Sequence, residues 1–294
     1  MQVHRFAAGK AGTHAINASG RPLRKIVRFL RAMLLLYVLL VGLAMLLEKQ
    51  FIYHPVTGGQ AASEMEDCRL RAADGTTLDG WYCRAPRPPQ TVVLFLHGNG
   101  GNITDRRRLI EKLSLAPADV FALDYRGYGR SAGAPSEQGL YEDADAAWRY
   151  LTRVRGIPAR RIVVFGESLG GAIAIDLARR VRPAGLIVQS GFTSLPDMAG
   201  VTLPFVPRFC VRTQMRSIDK IGQVHCPKLF IHSRDDDVVP YVMGERLYQA
   251  APGPKQLLTL RGATHNDTEA VGGHAYYAAL RRFVIDCAPP EKRP

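Results

Sequence analysis

No acidic side chain precedes Glu48, no cysteine pair has C-x-x-C spacing, and no G-x-x-x-x-G-K-[ST] run occurs in the 294 residues. The second absence removes a zinc ribbon and a thioredoxin-like dithiol, since Cys68, Cys83, Cys210, Cys226 and Cys287 are odd in number and scattered. The third removes the P-loop type of phosphate cradle. No metal and no cofactor is expected. Internal repeats and low-complexity tracts are also lacking. A composition of 47% hydrophobic and 22% charged residues excludes a disordered, collagen-like or polytopic membrane chain. One catalytic-sized domain is the expectation.

The missing acids at the start change the meaning of the net charge. A formal +13 taken alone suggests a nucleic-acid partner. Seven of those charges, on Arg5, Lys10, Arg21, Arg24, Lys25, Arg28 and Arg31, lie before Glu48, which leaves a surplus of only six on residues 48–294. No nucleic-acid partner is therefore expected. Residues 32–47 (AMLLLYVLLVGLAMLL) carry neither charge nor proline. As a helix they span roughly 24 Å, and residues 26–47 span roughly 33 Å, against a hydrocarbon core of about 30 Å. Arg28 and Arg31 can snorkel to the interface. A cleaved signal peptide shares the basic arm and apolar run, but no small-x-small cleavage site follows before Glu-Lys-Gln-Phe-Ile-Tyr-His-Pro. The expectation is a basic cytoplasmic arm over residues 1–31, an uncleaved signal anchor over 26–47, and the remainder on the exported side. In that compartment Cys68 with Cys83, and Cys210 with Cys226, are the disulfide pairings within reach; buried free thiols are the alternative.

Beyond the anchor, residues 65–72 and 77–83 are strand-like and flank Asp74-Gly75, a hairpin signal. After a proline-rich connector (84–90), continuous apolar strands at 91–96, 120–124, 161–165, 185–190, 228–232 and 256–260 alternate with helical patterns at 105–115, 140–154, 170–180, 241–250 and 273–285. Residues 191–226 read as an irregular excursion. The class is α/β, a mostly parallel sheet covered by helices on both faces, whose functional crevice lies at the carboxyl ends of the strands.

Those strand ends hold the chemistry. Gly166-Glu167-Ser168-Leu169-Gly170-Gly171 is a G-x-S-x-G between a strand and a helix, the context that makes the serine an exposed nucleophile. A hydroxyl needs a base, and a base needs a carboxylate to orient it. By position the base is His265, which follows both the nucleophile and an acidic strand-end loop and lies in the loop just beyond the last strand; His97, His232 and His274, the last at the start of the terminal helix, suit packing or loop hydrogen bonding better. The acid comes from Asp235, Asp236 or Asp237, among which composition does not choose. For the oxyanion, the backbone N–H of Leu169 and that of Asn99 in the loop His97-Gly98-Asn99-Gly100-Gly101-Asn102 are the expected donors. In Asp124-Tyr125-Arg126-Gly127-Tyr128-Gly129-Arg130-Ser131, Arg126 reads as structural in preference to a substrate clamp.

Together these residues resemble the α/β-hydrolase superfamily, over residues 51–286 with a short tail at 287–294. Within it the likeness is to the membrane-anchored bud-emergence type, the group that contains eukaryotic alpha/beta hydrolase domain-containing protein thirteen. It rests on the anchor followed by Phe51-Ile52-Tyr53-His54-Pro55, on HGNGGN, DYRGYGRS and GESLGG, on SGFTSLPDMA from Ser190, and on THNDT around His265. The resemblance implies that Asp236 is the acid, through a Gly-x-x-Asp-x-x-Val-Pro pattern in which Ser233 replaces the glycine. It implies a serine hydrolase of carboxylic esters or thioesters with a short lid in 191–227, where Leu203, Pro204, Phe205, Val206, Pro207 and Phe209 line an acyl pocket, touch the bilayer, or merely pack. The large helical cap of a dedicated aminopeptidase is absent from the pattern. An idle hydrolase fold serving as an interaction module, and acyl transfer or peptidase chemistry at the same site, are the rival functions.

Overall fold

The computed structural model describes residues 21–61 and 63–289. Arg5, Lys10, the rest of residues 1–20 and the tail 290–294 lie outside the described residues. The chain divides into two compact units, one ending at Leu43 and the other starting at Ala44.

The described residues of the first unit are helical. Helix α1 (Arg21–Leu46) starts five residues before the expected anchor, with Pro22 in its first turn, where the missing N–H would have no intrahelical partner in any case. Among the described residues it is the one helix long and apolar enough to cross a membrane, over Leu23–Leu46. Leu34, Leu35 and Leu39 on it are exposed.

The second unit opens with the short helix α2 (Glu48–Ile52) and is organised by eight strands: β1 (Met65–Arg71), β2 (Thr77–Cys83), β3 (Thr91–Leu96), β4 (Ala118–Asp124), β5 (Ile162–Glu167), β6 (Gly185–Gln189), β7 (Lys228–Ser233) and β8 (Lys255–Leu260). They lie in the order β8-β7-β6-β5-β3-β4-β2-β1. The β1–β2 hairpin and the β2–β4 pairing are antiparallel, and every other pairing is parallel. The unbroken apolar runs of β3, β4, β6 and β7 follow from this position, since all their residues are buried.

Side-chain alternation sorts the core into two layers. Val92, Leu94 and Leu96 face one cluster together with α4 (Glu137–Arg149), α5 (Leu169–Val181), α7 (Ser217–Ile221) and α8 (Tyr241–Ala250). Val93 and Phe95 face the other, with α3 (Arg107–Ser114) and α9 (Thr268–Asp286). Each such fully buried Leu or Phe contributes about 1.5–3 kcal/mol of transfer free energy. The layers also settle the cysteines: Cys68 sits opposite Gly80 in one layer and Cys83 opposite Met65 in the other, and all five thiols are free.

Three larger departures from expectation lie in the second unit. Residues 191–226 are not irregular throughout, since α6 (Leu195–Thr202), capped by the Ser194 side chain on Asp197 N–H, and α7 are helical. The last helix begins at Thr268, before the expected 273, because Gly273 at φ 48° kinks it and hides the first turns from the periodicity. The helix expected at 140–154 starts at Glu137, N-capped by Ser136, and ends in a π-helical turn at Tyr150–Val154.

Candidate active site

Ser168 stands between β5 and α5 with φ 52° and ψ −113°, a left-handed conformation that an L residue holds only when its surroundings enforce it. Two glycines allow it. A Cβ on Gly166 would lie 2.2 Å from the Gly170 carbonyl oxygen, and one on Gly170 would lie 2.0 Å from that of Leu96. The turn is therefore packed against β3 with no room for a methyl group, and Ser168 Oγ projects at the start of α5, where the free N–H groups and helix dipole favour negative charge.

His265 is carried by the loop after β8. Its Nε2 lies 3.0 Å from Ser168 Oγ, and its Nδ1 lies 3.0 and 2.9 Å from the two carboxylate oxygens of Asp236. The three neighbouring aspartates do separate jobs. Asp235 accepts the Gly262 N–H at 2.6 Å and Asp237 accepts the His265 backbone N–H at 2.9 Å, so both shape the histidine loop, while Asp236 alone reaches the imidazole. Ser233, in the place of the pattern's glycine, closes the turn by accepting the Asp235 N–H at 3.2 Å.

Asp236 also accepts the N–H groups of Val238 and Val239 at 3.0 and 2.8 Å. Burial pushes its pKa up, but hydrogen bonds from His232 and His265 and from the Val239 N–H outweigh that and hold the carboxyl well below the usual range. His232 is the participant that sequence reasoning missed. Its Nε2 lies 2.9 Å from the Val239 carbonyl oxygen and 3.3 Å from Asp236 Oδ2, two acceptors that require the proton on that nitrogen. A histidine inside an apolar strand, four residues before an acid, is its only sequence signal.

The loop after β3 is strapped from two sides. Asn99 Nδ2 donates to the Ile52 carbonyl at 3.1 Å, and the Asn99 carbonyl accepts the His54 N–H at 3.0 Å and the Tyr128 hydroxyl at 2.8 Å. His54 and Pro55 pair in parallel with Gly100 and Gly101. With the rest of Asn99 engaged, its N–H donates to no group among the described residues, and neither does that of Leu169. Arg106 grips Glu167, the residue before Ser168, through Nε at 2.9 Å and a second nitrogen at 3.0 Å. His97 is buried in the same loop, donates Nδ1–H to the Gly98 carbonyl at 2.8 Å, and is kept neutral by burial and by Arg106, which lower its value to about 3.

The family model described as serine aminopeptidase, S33, matches residues 87–216. An uncharacterized protein of Mycobacterium tuberculosis, Rv2307c, is 38% identical over 253 residues, covering 82% of this chain and 88% of its own. The alpha/beta hydrolase domain-containing protein WAV2 of Arabidopsis thaliana is 34% identical over 297 residues, covering 87% and 94%. The chain belongs to the α/β-hydrolase superfamily. Among solved structures, the esterase Pf2001 of Pyrococcus furiosus superposes with a TM-score of 0.68 at 20% identity, over 80% of this chain and 99% of that one, a likeness of fold.

Beside Ser168 this α/β-hydrolase chain holds a cavity of about 200 Å³. Asn99, Leu169 and Phe192 line it beside Ser168, and Met198, Leu203 and Val206 from the excursion form a wall. Ala44, Met45, Glu48, Phe51 and Ile52 close the far side. The excursion's apolar cluster is thus divided: Leu203 and Val206 line the cavity, whereas Phe205 and Phe209 are exposed. Arg126 is away from this cavity. It binds Asp143, Asp74 and Glu142, and its guanidinium occupies the space a Cβ on Gly139 would need, a structural role.

Proposed function

We propose that the protein is a membrane-anchored serine hydrolase that cleaves carboxylic esters or thioesters of acyl groups. The observation that carries this reading is the chain of hydrogen bonds from Ser168 Oγ through His265 to Asp236 at the mouth of an apolar cavity. Ser168 attacks the acyl carbonyl as His265 Nε2 takes its proton. Asp236 keeps the imidazole oriented and stabilises its cation, while the free N–H groups of Asn99 and Leu169 receive the oxyanion. His265 then returns the proton to the leaving alcohol or thiol. Water, activated by the same base, releases the acyl group from Ser168.

The lining favours acyl groups over peptide amino termini. Glu48 is the one acidic lining residue, and its two carboxylate oxygens are turned to the N–H groups of Arg212 and Thr213 at 2.9 and 2.6 Å, while Leu169, Phe192, Leu203 and Val206 give the rest of the lining an apolar character suited to an acyl chain. Esterases among the structural relatives, Pf2001 of Pyrococcus furiosus and the ferulic-acid-bound Est1E of Butyrivibrio proteoclasticus, support the same reaction class. The length and apolarity of α1 and its basic flank support an anchor with a cytoplasmic amino terminus.

A fluorophosphonate probe tests the nucleophile. It labels the wild-type chain covalently and leaves Ser168→Ala unlabelled; equal labelling of both would remove the assignment.

A further inference from the structure

Residues 198–218 contain no acidic side chain and three arginines, Arg208, Arg212 and Arg216. Within this stretch the inward positions Leu203, Val206 and Val211 line the cavity beside Ser168. The outward positions are apolar too. Phe209 is 88% exposed, Val201 51% and Phe205 46%. A lid that met only water would carry polar groups there; exposed aromatic side chains interspersed with arginines along one short segment are the composition of a segment that lies in a bilayer interface.

The position of this face relative to the chain points to its occupant. Glu48, two residues past the end of α1, accepts hydrogen bonds from the Arg212 and Thr213 N–H groups. Ala44 and Met45, in the last turn of α1, line the same cavity as Leu203 and Val206. The lid is therefore fastened to the residues that leave the membrane if α1 spans it. Arg212 is exposed and forms no ion pair among the described residues, free to meet a lipid phosphate, and Arg208 is bound to Asp197 at 2.8 Å.

We infer that residues 201–212 form a port onto an anionic bilayer: Phe205 and Phe209 enter the interface, and the cavity behind them takes one acyl chain of an ester dissolved in that bilayer. The substrate class is a single-chain amphiphile whose ester lies at headgroup depth. The route of the substrate rests on the proposed hydrolase reading; the seating of the lid in the bilayer does not.

The test uses the full chain in vesicles of phosphatidylglycerol and brominated phosphatidylcholine. Phe205→Trp and Phe209→Trp each add an emission that the bromine quenches at least twofold, over the background of the buried Trp81 and Trp148. Absence of quenching overturns the port. Cross-linking of Phe209→Cys between two copies, without quenching of Phe209→Trp, also overturns it in favour of a second chain on this face. For the route, Phe205→Ser with Phe209→Ser lowers turnover of a vesicle-dissolved monoacyl ester at least fivefold and leaves p-nitrophenyl acetate hydrolysis unchanged. Equal effects on the two substrates overturn the route. If the wild type hydrolyses neither ester, the hydrolase reading and the route fall together, and quenching alone still decides the seating of the lid.

Discussion

Asp236 accepts hydrogen bonds from two backbone N–H groups and from His265, with His232 beside its second oxygen, and its side chain has no contact with solvent. A carboxylate held this way cannot rotate off the imidazole. In the proposed triad, replacement by an isosteric amide turns one face from acceptor to donor and leaves the wrong tautomer of His265, at a cost of about 10⁴ in kcat. Asp236→Asn is therefore expected to lose that much turnover of a chromogenic ester, and Asp235→Asn, whose carboxylate touches only Gly262 N–H, less than tenfold. The same substitution has a pH signature. Because the folded value of Asp236 is depressed, its contribution to stability is complete above the unfolded carboxylate value of about 3.9 and fades as pH falls below it. Chemical denaturation should show a larger gap between wild type and Asp236→Asn at pH 7 than at pH 3. Ser168 and His265 were legible from spacing and chain order, since a strained strand-to-helix turn has a sequence signature. Asp236 was legible only through the family pattern, because the three aspartates differ in where the loop aims them and not in composition. His232 left almost no trace, its role arising from a contact across a turn.

At the scale of elements, the turn at Ser168 is held in shape because β5, α5 and β3 approach so closely that Gly166 and Gly170 touch backbone atoms. A backbone oxygen has no rotamer with which to move aside. Gly170→Ala would place its Cβ 2.0 Å from the Leu96 oxygen and 2.6 Å from that of His97. The cost meets or exceeds the ordinary overpacking figure of about 1–3 kcal/mol, so Tm is expected to fall by about 5–10 °C. Probe labelling should be lost with it, since the displaced loop carries Asn99. Gly222→Ala, whose Cβ would meet nothing nearer than 4.0 Å, is the control and should leave both readouts in place. Thermal denaturation of the two variants side by side decides the matter. The parallel strands were readable because burial on both faces leaves an uninterrupted apolar run. The helices α6 and α7 were not, because short segments held by caps and by the edge of the core carry little periodicity. Gly273 concealed the start of α9 for a related reason: a left-handed residue shifts the phase of the pattern on either side.

At the scale of the whole molecule, charge and thiol chemistry bear on the same question of compartment. The five free cysteines suit a reducing compartment, yet burial pushes Cys226 up to about 11 and Cys287 up to about 12, and also raises Cys83. Such thiols stay protonated and unreactive on the oxidising side as well, so they do not argue against export. The charge distribution argues for it. Arg21, Arg24, Lys25, Arg28 and Arg31 all precede the uncharged run of the candidate span, which ends at Leu46, and the positive-inside bias retains such a flank in the cytoplasm. A reporter active only after export, fused behind Pro294, should therefore be active in the wild-type chain. Replacing those five basic residues with glutamine should reduce that activity several-fold as chains insert in the opposite sense. A parallel reporter active only in the cytoplasm should gain what the first one loses. Activity of the cytoplasmic reporter alone in the wild type would reverse the assigned orientation, and would place the lid's arginines against the inner leaflet instead of the outer one.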